Sequence, residues 1–384
     1  MKFPRATRSG YSIAAAIICF VLLSAMTNIR RHAAPKPKPV IIGYVGGFRG
    51  LIDTNLVDAR KLTHINYAFV DIKNNRAFLH YERTDTANFS MLRKLKKVNP
   101  DLKILISIGG WAWSGRFSDA MLSDTARTAF AASAVDIIRK YQLDGVDIDW
   151  EYPNDIGAGN VFRPEDKHTY TLMFHDLRKE LDQLEHETGK KLLLTAAVGG
   201  FKRFLQNTEM GQVQRYLNYV NLMTYDYFQD SLKIAVHHTN LYASRKYQTR
   251  DDADKAVNDF MEAGVPVEKL VMGLAFYGRS AKVRDAINYG LGDTTAGRMP
   301  GRGFTFIKDS LLTNKDFKYY RDQDAKAPYL FNAATKQFIS YDDEWSVKAK
   351  CNYVLKKHMA GVMFWEYADD KKTYLLNEVN RDLK

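Results

Sequence analysis

Cysteine is scarce in this chain, with two, Cys19 and Cys351, in 384 residues. Cys19 falls inside an N-terminal apolar run, so Cys351 stands alone in the body of the protein. A single cysteine closes no internal disulfide, and stability has to come from a packed core. Long apolar runs are nearly absent too. Residues 11–26 form the main one, and about 16 residues is short of the roughly 20 that cross a bilayer. Neither a nucleotide-binding glycine loop nor a serine-nucleophile elbow occurs. The adjacent pair His237-His238 is poorly spaced to share one ion on a strand, so no metal and no cofactor is expected. Formal charge is +12, yet the cations are scattered and form no compact basic-aromatic patch. A nucleic-acid binder is therefore set aside, and nothing indicates an oligomer, so a monomer is expected.

Five of those charges, Lys2, Arg5, Arg8, Arg30 and Arg31, fall within residues 1–34, which hold no acid; +7 is left for the rest. A basic stretch before an apolar run has the layout of a secretory signal. Leu23 and Ala25 make a poor cleavage site, so an uncleaved membrane anchor stays open as the alternative. Residues 1–34 are read as signal peptide or anchor with its flanks, and 35–39 as an extended Pro/Lys spacer. The body is expected to be secreted or periplasmic, or else tethered to a membrane outside the cytoplasm.

What is abundant is apolar and aromatic residue: 46% hydrophobic, with 22 Tyr, 21 Phe and 5 Trp, which excludes a disordered chain. Apolar strand candidates alternate with longer amphipathic stretches, the pattern of a parallel barrel. The strands are expected at 39–48, 62–70, 102–108, 143–151, 192–198, 219–225, 270–277 and 361–366. Helices are expected between them, for example at 125–140 and 165–187, the first with an apolar stripe of Phe130, Ala134, Ile137 and Ile138. The fold class is therefore an α/β (β/α)8 barrel. Residues 40–279 and 343–384 build it, and 280–342 interrupt it as a small α+β insertion between strand 7 and helix 7. Within the insertion, 329–332 and 337–342 read as a hairpin.

Residues 143–151 carry the most chemistry. Asp147, Asp149 and Glu151 occupy alternate positions, so in a strand all three leave on one face, about 6–7 Å apart. Like charges so close cannot all ionise; at least one pKa should rise and a proton should be shared. That suits a general acid near neutral pH. A solvated acidic loop or a divalent-cation site is the competing reading, against which Val146, Ile148 and Trp150 argue by interleaving the acids. Barrel active sites gather at the C-terminal ends of strands. The unusual residues fall at those ends: Gly109-Gly110-Trp111, Met223 to Asp226, Tyr277 to Arg279 and Trp365-Glu366.

Asp144-Gly145-Val146-Asp147-Ile148-Asp149-Trp150-Glu151 resembles the signature of glycoside hydrolase family 18, the chitinases and their relatives, and the resemblance runs from about residue 40 to the end. It implies Glu151 as the acid on the glycosidic oxygen, Asp149 as the residue orienting the N-acetyl group, and Asp147 as its buried partner. No protein nucleophile is implied; the 2-acetamido carbonyl attacks instead, an exception to the two-carboxylate scheme. Met223-Thr224-Tyr225-Asp226-Tyr227 resembles the sixth-strand motif. It implies that Tyr225 holds the N-acetyl carbonyl, Asp226 binds the sugar opposite Glu151, and Met223 shapes the acetamide pocket. By the same resemblance Trp365 is the floor under the reacting sugar, and Tyr44, Tyr277 and Arg279 are binding positions. Trp111 and Trp113 are rim candidates. Ser107-Ile108-Gly109-Gly110-Trp111 resembles the third-strand motif, its glycines expected to bring backbone close to the acidic strand. Asp144, on the opposite parity, is read as structural. The resemblance implies a chitin or chito-oligosaccharide substrate, with endo action expected over exo. Another N-acetylglucosamine glycan, such as peptidoglycan or the N-glycan core, is the alternative, and a non-catalytic lectin the remoter one.

Overall fold

A computed structural model describes residues 1–4, 38–228, 233–248 and 251–383. The apolar run 11–26 and most of the spacer lie outside the described residues. Among the described residues no helix is long and apolar enough to cross a membrane. The chain divides into two units, 1–38 and 39–384, and the second holds every helix and strand of the described residues.

Eight parallel strands close into a barrel. They are β1 (Val40–Gly46), β2 (His64–Lys73), β4 (Lys103–Gly109), β5 (Gly145–Asp149), β6 (Leu193–Gly199), β7 (Tyr219–Met223), β8 (Leu270–Ala275) and β14 (Gly361–Trp365). Each pairs with the next in that order, and β1 pairs with β14 to shut the ring. β3 (Arg76–Phe78) only extends β2 as an antiparallel hairpin. The principal outer helices are α1 (Glu82–Lys94), α2 (Asp124–Tyr141), α3 (Asp166–Thr188), α4 (Ala253–Glu262), α5 (Glu344–Lys357) and α6 (Tyr374–Leu383).

Period-2 alternation decides what each strand offers to each side. In β1, Ile41 and Val45 join the core shared with the helices, whereas Val40, Ile42 and Tyr44 join a smaller cluster with Ala197, Met223, Val271 and Met363. In β5, Val146 and Ile148 face the helix side, as does Trp150 just beyond it, where its indole stacks on Phe117 at 5.0 Å. Asp147 and Asp149 are thereby committed to the barrel interior. Asp144 takes the structural place expected of it: its carboxylate accepts the Ile104 amide at 2.8 Å and pairs with Lys96 and Lys190 at the foot of the barrel.

β4 meets β5 where two glycines allow it. Gly110 donates its amide to the Asp149 carbonyl at 2.7 Å. Gly109 has φ +111°, and a Cβ there would stand 2.2 Å from that same carbonyl oxygen. Only glycine satisfies both conditions.

Between β8 and α5 the chain builds a five-stranded antiparallel sheet in the order β10-β9-β13-β12-β11. Its strands are β9 (Tyr277–Val283), β10 (Thr295–Gly303), β11 (Phe317–Asp322), β12 (Ala327–Asn332) and β13 (Gln337–Ser340). One expectation is corrected here. The apolar run 270–277 is not a single barrel strand: β8 ends at Ala275, and Phe276 turns outward to stack on Phe364 at 4.1 Å. Tyr277 and Arg279 thus belong to the insertion sheet, which begins before residue 280 and reaches over the barrel mouth.

A fully buried ion pair fastens this corner. Lys350 Nζ lies 2.7 and 2.9 Å from the Asp342 carboxylate and 2.6 Å from Thr239 Oγ1. Asp342 also accepts the Ala275 amide at 3.2 Å, so the pair ties α5 to the end of β8 and to segment 237–240. Lys350→Met is expected to cost about 3–5 kcal/mol, because Asp342 would be left as an uncompensated buried charge. Denaturant unfolding measures it, and a loss below about 1 kcal/mol would contradict this reading.

Candidate active site

At the C-terminal ends of the strands opens a cleft of about 1860 Å³. Tyr44, Trp111, Asp149, Glu151, Met223, Tyr225, Asp226, Tyr277, Arg279 and Trp365 all line it. Asp147 lies one layer below, fully buried.

Asp147 is held by four donors from four strands. Register places Ser107 of β4 and Thr195 of β6 level with it. Their hydroxyls donate at 2.7 and 2.5 Å, Tyr44 Oη at 2.9 Å and Asn221 Nδ2 at 3.2 Å. Burial pushes this carboxyl upward, and the four hydrogen bonds oppose that rise. Asp149, one step up the strand, has no such cage: its Oδ1 is buried without a partner. Burial first, then the charges of Glu151 and Asp147, push it well above the usual carboxylate range. Glu151 sits at the top, where burial together with the Asp226 charge raises it to about 7, against a hydrogen bond from Tyr152. Its amide donates to Ser114 Oγ at 2.8 Å. All three carboxyls are thus raised, the one at the base against the pull of its cage and the two above without one, so the column can share protons.

Opposite stands a cationic clamp. Asp226 receives Tyr277 Oη at 2.7 Å and both Arg279 Nε and Nη2, at 2.7 and 2.6 Å. Burial alone would raise Asp226, but the two hydrogen bonds and the charge of Arg279, with His238 close by, outweigh it and hold the group ionised. Tyr225 Oη reaches Met363 Sδ at 3.7 Å. Thioether sulfur is a weak acceptor, so the hydroxyl stays available to a ligand.

Trp365 supplies an apolar floor. Its indole lies nearly parallel to Phe69 at 5.4 Å and to Phe48 at 6.3 Å, and is tilted against Tyr44 at 5.8 Å. Trp111 projects from the rim, 54% exposed, and Trp113 stacks on His80 at 5.1 Å. All twelve predicted positions therefore converge, eleven on the cleft, Trp113 included, and Asp147 beneath it. Tyr44 also braces Asp147 from the opposite side of the barrel.

Sequence reasoning missed Ser107, Thr195 and Asn221, although each is a polar residue on the inward parity of its strand. Phe48 and Phe69, which back Trp365, carried no separate signal. His238 was passed over as half of a metal-poor pair. It is buried beside the clamp, its Nδ1 3.6 Å from Asp226 Oδ1, and its ring packs on Tyr277.

Residues 40–370 match the family described as Glycosyl hydrolases family 18. Chitinase A1 of Niallia circulans is 35% identical over 85% of this chain, which spans 55% of that protein's length. Chitotriosidase-1 of Mus musculus is 31% identical over 84% of this chain and 70% of its own. Among solved structures, a glycoside hydrolase family 18 N-acetylglucosaminidase from Paenibacillus barengoltzii superposes with a TM-score of 0.83. It is 41% identical, over 90% of this chain and 99% of that one.

Proposed function

Because the chain belongs to glycosyl hydrolases family 18, we propose that it is a retaining chitinase acting on β-1,4-linked N-acetylglucosamine chains. The observation that carries this reading is the inward column Asp147, Asp149, Glu151, set across the cleft from Tyr225, Asp226 and Trp365. The reacting sugar rests its apolar C–H face on Trp365. Glu151 gives its proton to the glycosidic oxygen, and the bond from that oxygen to C1 breaks. The substrate's acetamido carbonyl oxygen closes onto C1 from the other face, forming an oxazolinium ring. Tyr225 orients that carbonyl through its hydroxyl, and Asp149 accepts the acetamide N–H, whose acidity grows as the ring becomes positive. Asp147, below, takes up part of the proton shared with Asp149. Water then attacks C1 as the ring's C1–O bond breaks and returns the acetamido group, while the Glu151 carboxylate removes the water's proton, which restores the acid and leaves the β configuration.

Glu151 must be protonated to start, so kcat/KM is expected to fall as pH rises through about 7. Asp226 is one of the charges holding Glu151 up. Asp226→Asn should therefore move this alkaline limb to lower pH, which a profile of the variant beside the parent measures. A limb that stays in place would remove Asp226 from the set of groups tuning the acid.

Endo cleavage is the preferred reading for a cleft this large. A second reading, release of single sugars from a chain end, is favoured by the similarity to the Paenibacillus barengoltzii N-acetylglucosaminidase. Early products from an N-acetylglucosamine hexamer separate the two: internal fragments for endo action, monomer with pentamer for exo. No cleavage at all would overturn the hydrolase reading. Export across a membrane, read from residues 1–34, belongs to the same proposal.

A further inference from the structure

The mechanism above leaves one buried polar ring beside the clamp unused. His238 is fully buried beneath Asp226, which itself lines the cleft. Backbone bonds fix its place: its carbonyl accepts the Tyr227 amide at 3.1 Å, and its own amide donates to Ser340 Oγ of β13 at 2.9 Å. The ring packs on Tyr277 at 5.2 Å. Neither ring nitrogen has a hydrogen-bond partner among the described residues.

Packing alone does not call for an imidazole here. A neutral imidazole presents one N–H and one lone pair. Burying both unpaired costs stability, and a phenyl ring would fill much the same space without that cost. Permanent charge does not account for the residue either. Burial, aided by the Arg279 charge, holds the ring below its ordinary pKa against the pull of Asp226 and Asp342, so it is neutral at pH 7. Asp342 is itself paired with Lys350, and the neighbouring His237 is also kept neutral by burial.

What the ring does face is one oxygen. Nδ1 stands 3.6 Å from Asp226 Oδ1, just beyond hydrogen-bond length. That oxygen already takes Tyr277 Oη and Arg279 Nε, each at 2.7 Å. Tyr277 also lines the cleft, so a bound sugar offers its hydroxyl a second acceptor. A hydroxyl has one proton to donate, and turning it to the sugar takes a donor from Asp226. A shift of about 0.7 Å would bring Nδ1 to the usual N–H···O length and replace it. The donor that leaves and the donor that can succeed it sit on touching rings beside the same oxygen. We propose that His238 is a positioning residue whose Nδ1–H is the reserve donor to Asp226 Oδ1, engaged when substrate draws away the Tyr277 hydroxyl. Asp226 then stays ionised and in place through turnover. This rests on the hydrolase reading above.

The test is the pH dependence of the full chain on the N-acetylglucosamine hexamer, parent beside His238→Phe. Phenylalanine keeps a ring against Tyr277 but has no donor. Its Tm is expected at or above the parent's, while kcat falls about tenfold, the worth of one hydrogen bond to a charged group. Fewer donors raise a carboxylate's pKa. The acid limb of kcat, which reports the bound state, should therefore move to higher pH in the variant. The acid limb of kcat/KM should stay, because it reports the free enzyme, where Tyr277 still serves Asp226. His238→Asn, whose amide N–H falls near the Nδ1 position, should restore most of kcat and the parent's limb. His238→Leu takes the place of the Phe variant where that fails to fold. An unchanged kcat in the variant lacking a donor, both acid limbs moving together, or an Asn variant no better than Phe overturns the proposal. Failure of the parent to cut the hexamer would instead overturn the hydrolase reading on which it stands.

Discussion

Glu151→Gln is expected to lower kcat on N-acetylglucosamine hexamers by about 10²–10⁴-fold while preserving the fold and sugar binding. The glutamine side chain keeps the size of the acid but has no proton to give. Glu151 lies at the surface of the column rather than in its caged base, so the packing of β5 does not depend on its charge. Kinetics and calorimetric binding on one preparation check both halves of the expectation. Unaltered turnover would remove Glu151 from the mechanism. Lost binding together with lost turnover would point to a damaged site instead.

Trp365→Ala should reduce kcat/KM by at least about thirtyfold, the equivalent of ~2 kcal/mol, through both a higher KM and a lower kcat. The indole is the face on which the sugar ring would lie, and Phe69 and Phe48 support it from within the wall. Truncation therefore removes the platform while its backing remains. Steady-state kinetics on the hexamer separates the two parameters. A change in KM alone would mean that Trp365 contributes uniform binding and does not orient the reacting sugar.

The acid column was legible because a period of two, with apolar residues at the intervening positions, fixes which face each carboxylate takes. Val146, Ile148 and Trp150 had to face the helices, and that sent Asp147 and Asp149 inward. The closed barrel followed from a different alternation, that of apolar strand candidates with longer amphipathic stretches, repeated through eight strands. The cage around Asp147 was not legible: its donors come from residues 40, 48, 74 and 103 positions away. Only the strand order and register bring Ser107, Thr195, Asn221 and Tyr44 to one carboxylate. The end of β8 was misread for a local reason. Residues 270–277 are continuously apolar apart from Gly273, and no breaker marks Phe276, where the chain leaves the barrel for the insertion sheet. His238 was invisible for a third reason. Its neighbour Asp226 lies only twelve residues away, but nothing in the spacing announces that His238 sits beside the clamp.

The central claim is that the substrate's own acetamido group, and no side chain of this protein, attacks C1. The most direct test is an NMR time course of the anomers formed from the N-acetylglucosamine hexamer, run beside the matching glucose hexamer. The account predicts β-anomer first from the acetamido substrate, α-anomer only as it equilibrates, and no cleavage of the glucose chain. Initial α-anomer, or comparable cleavage of the chain that lacks the acetamido group, would contradict it.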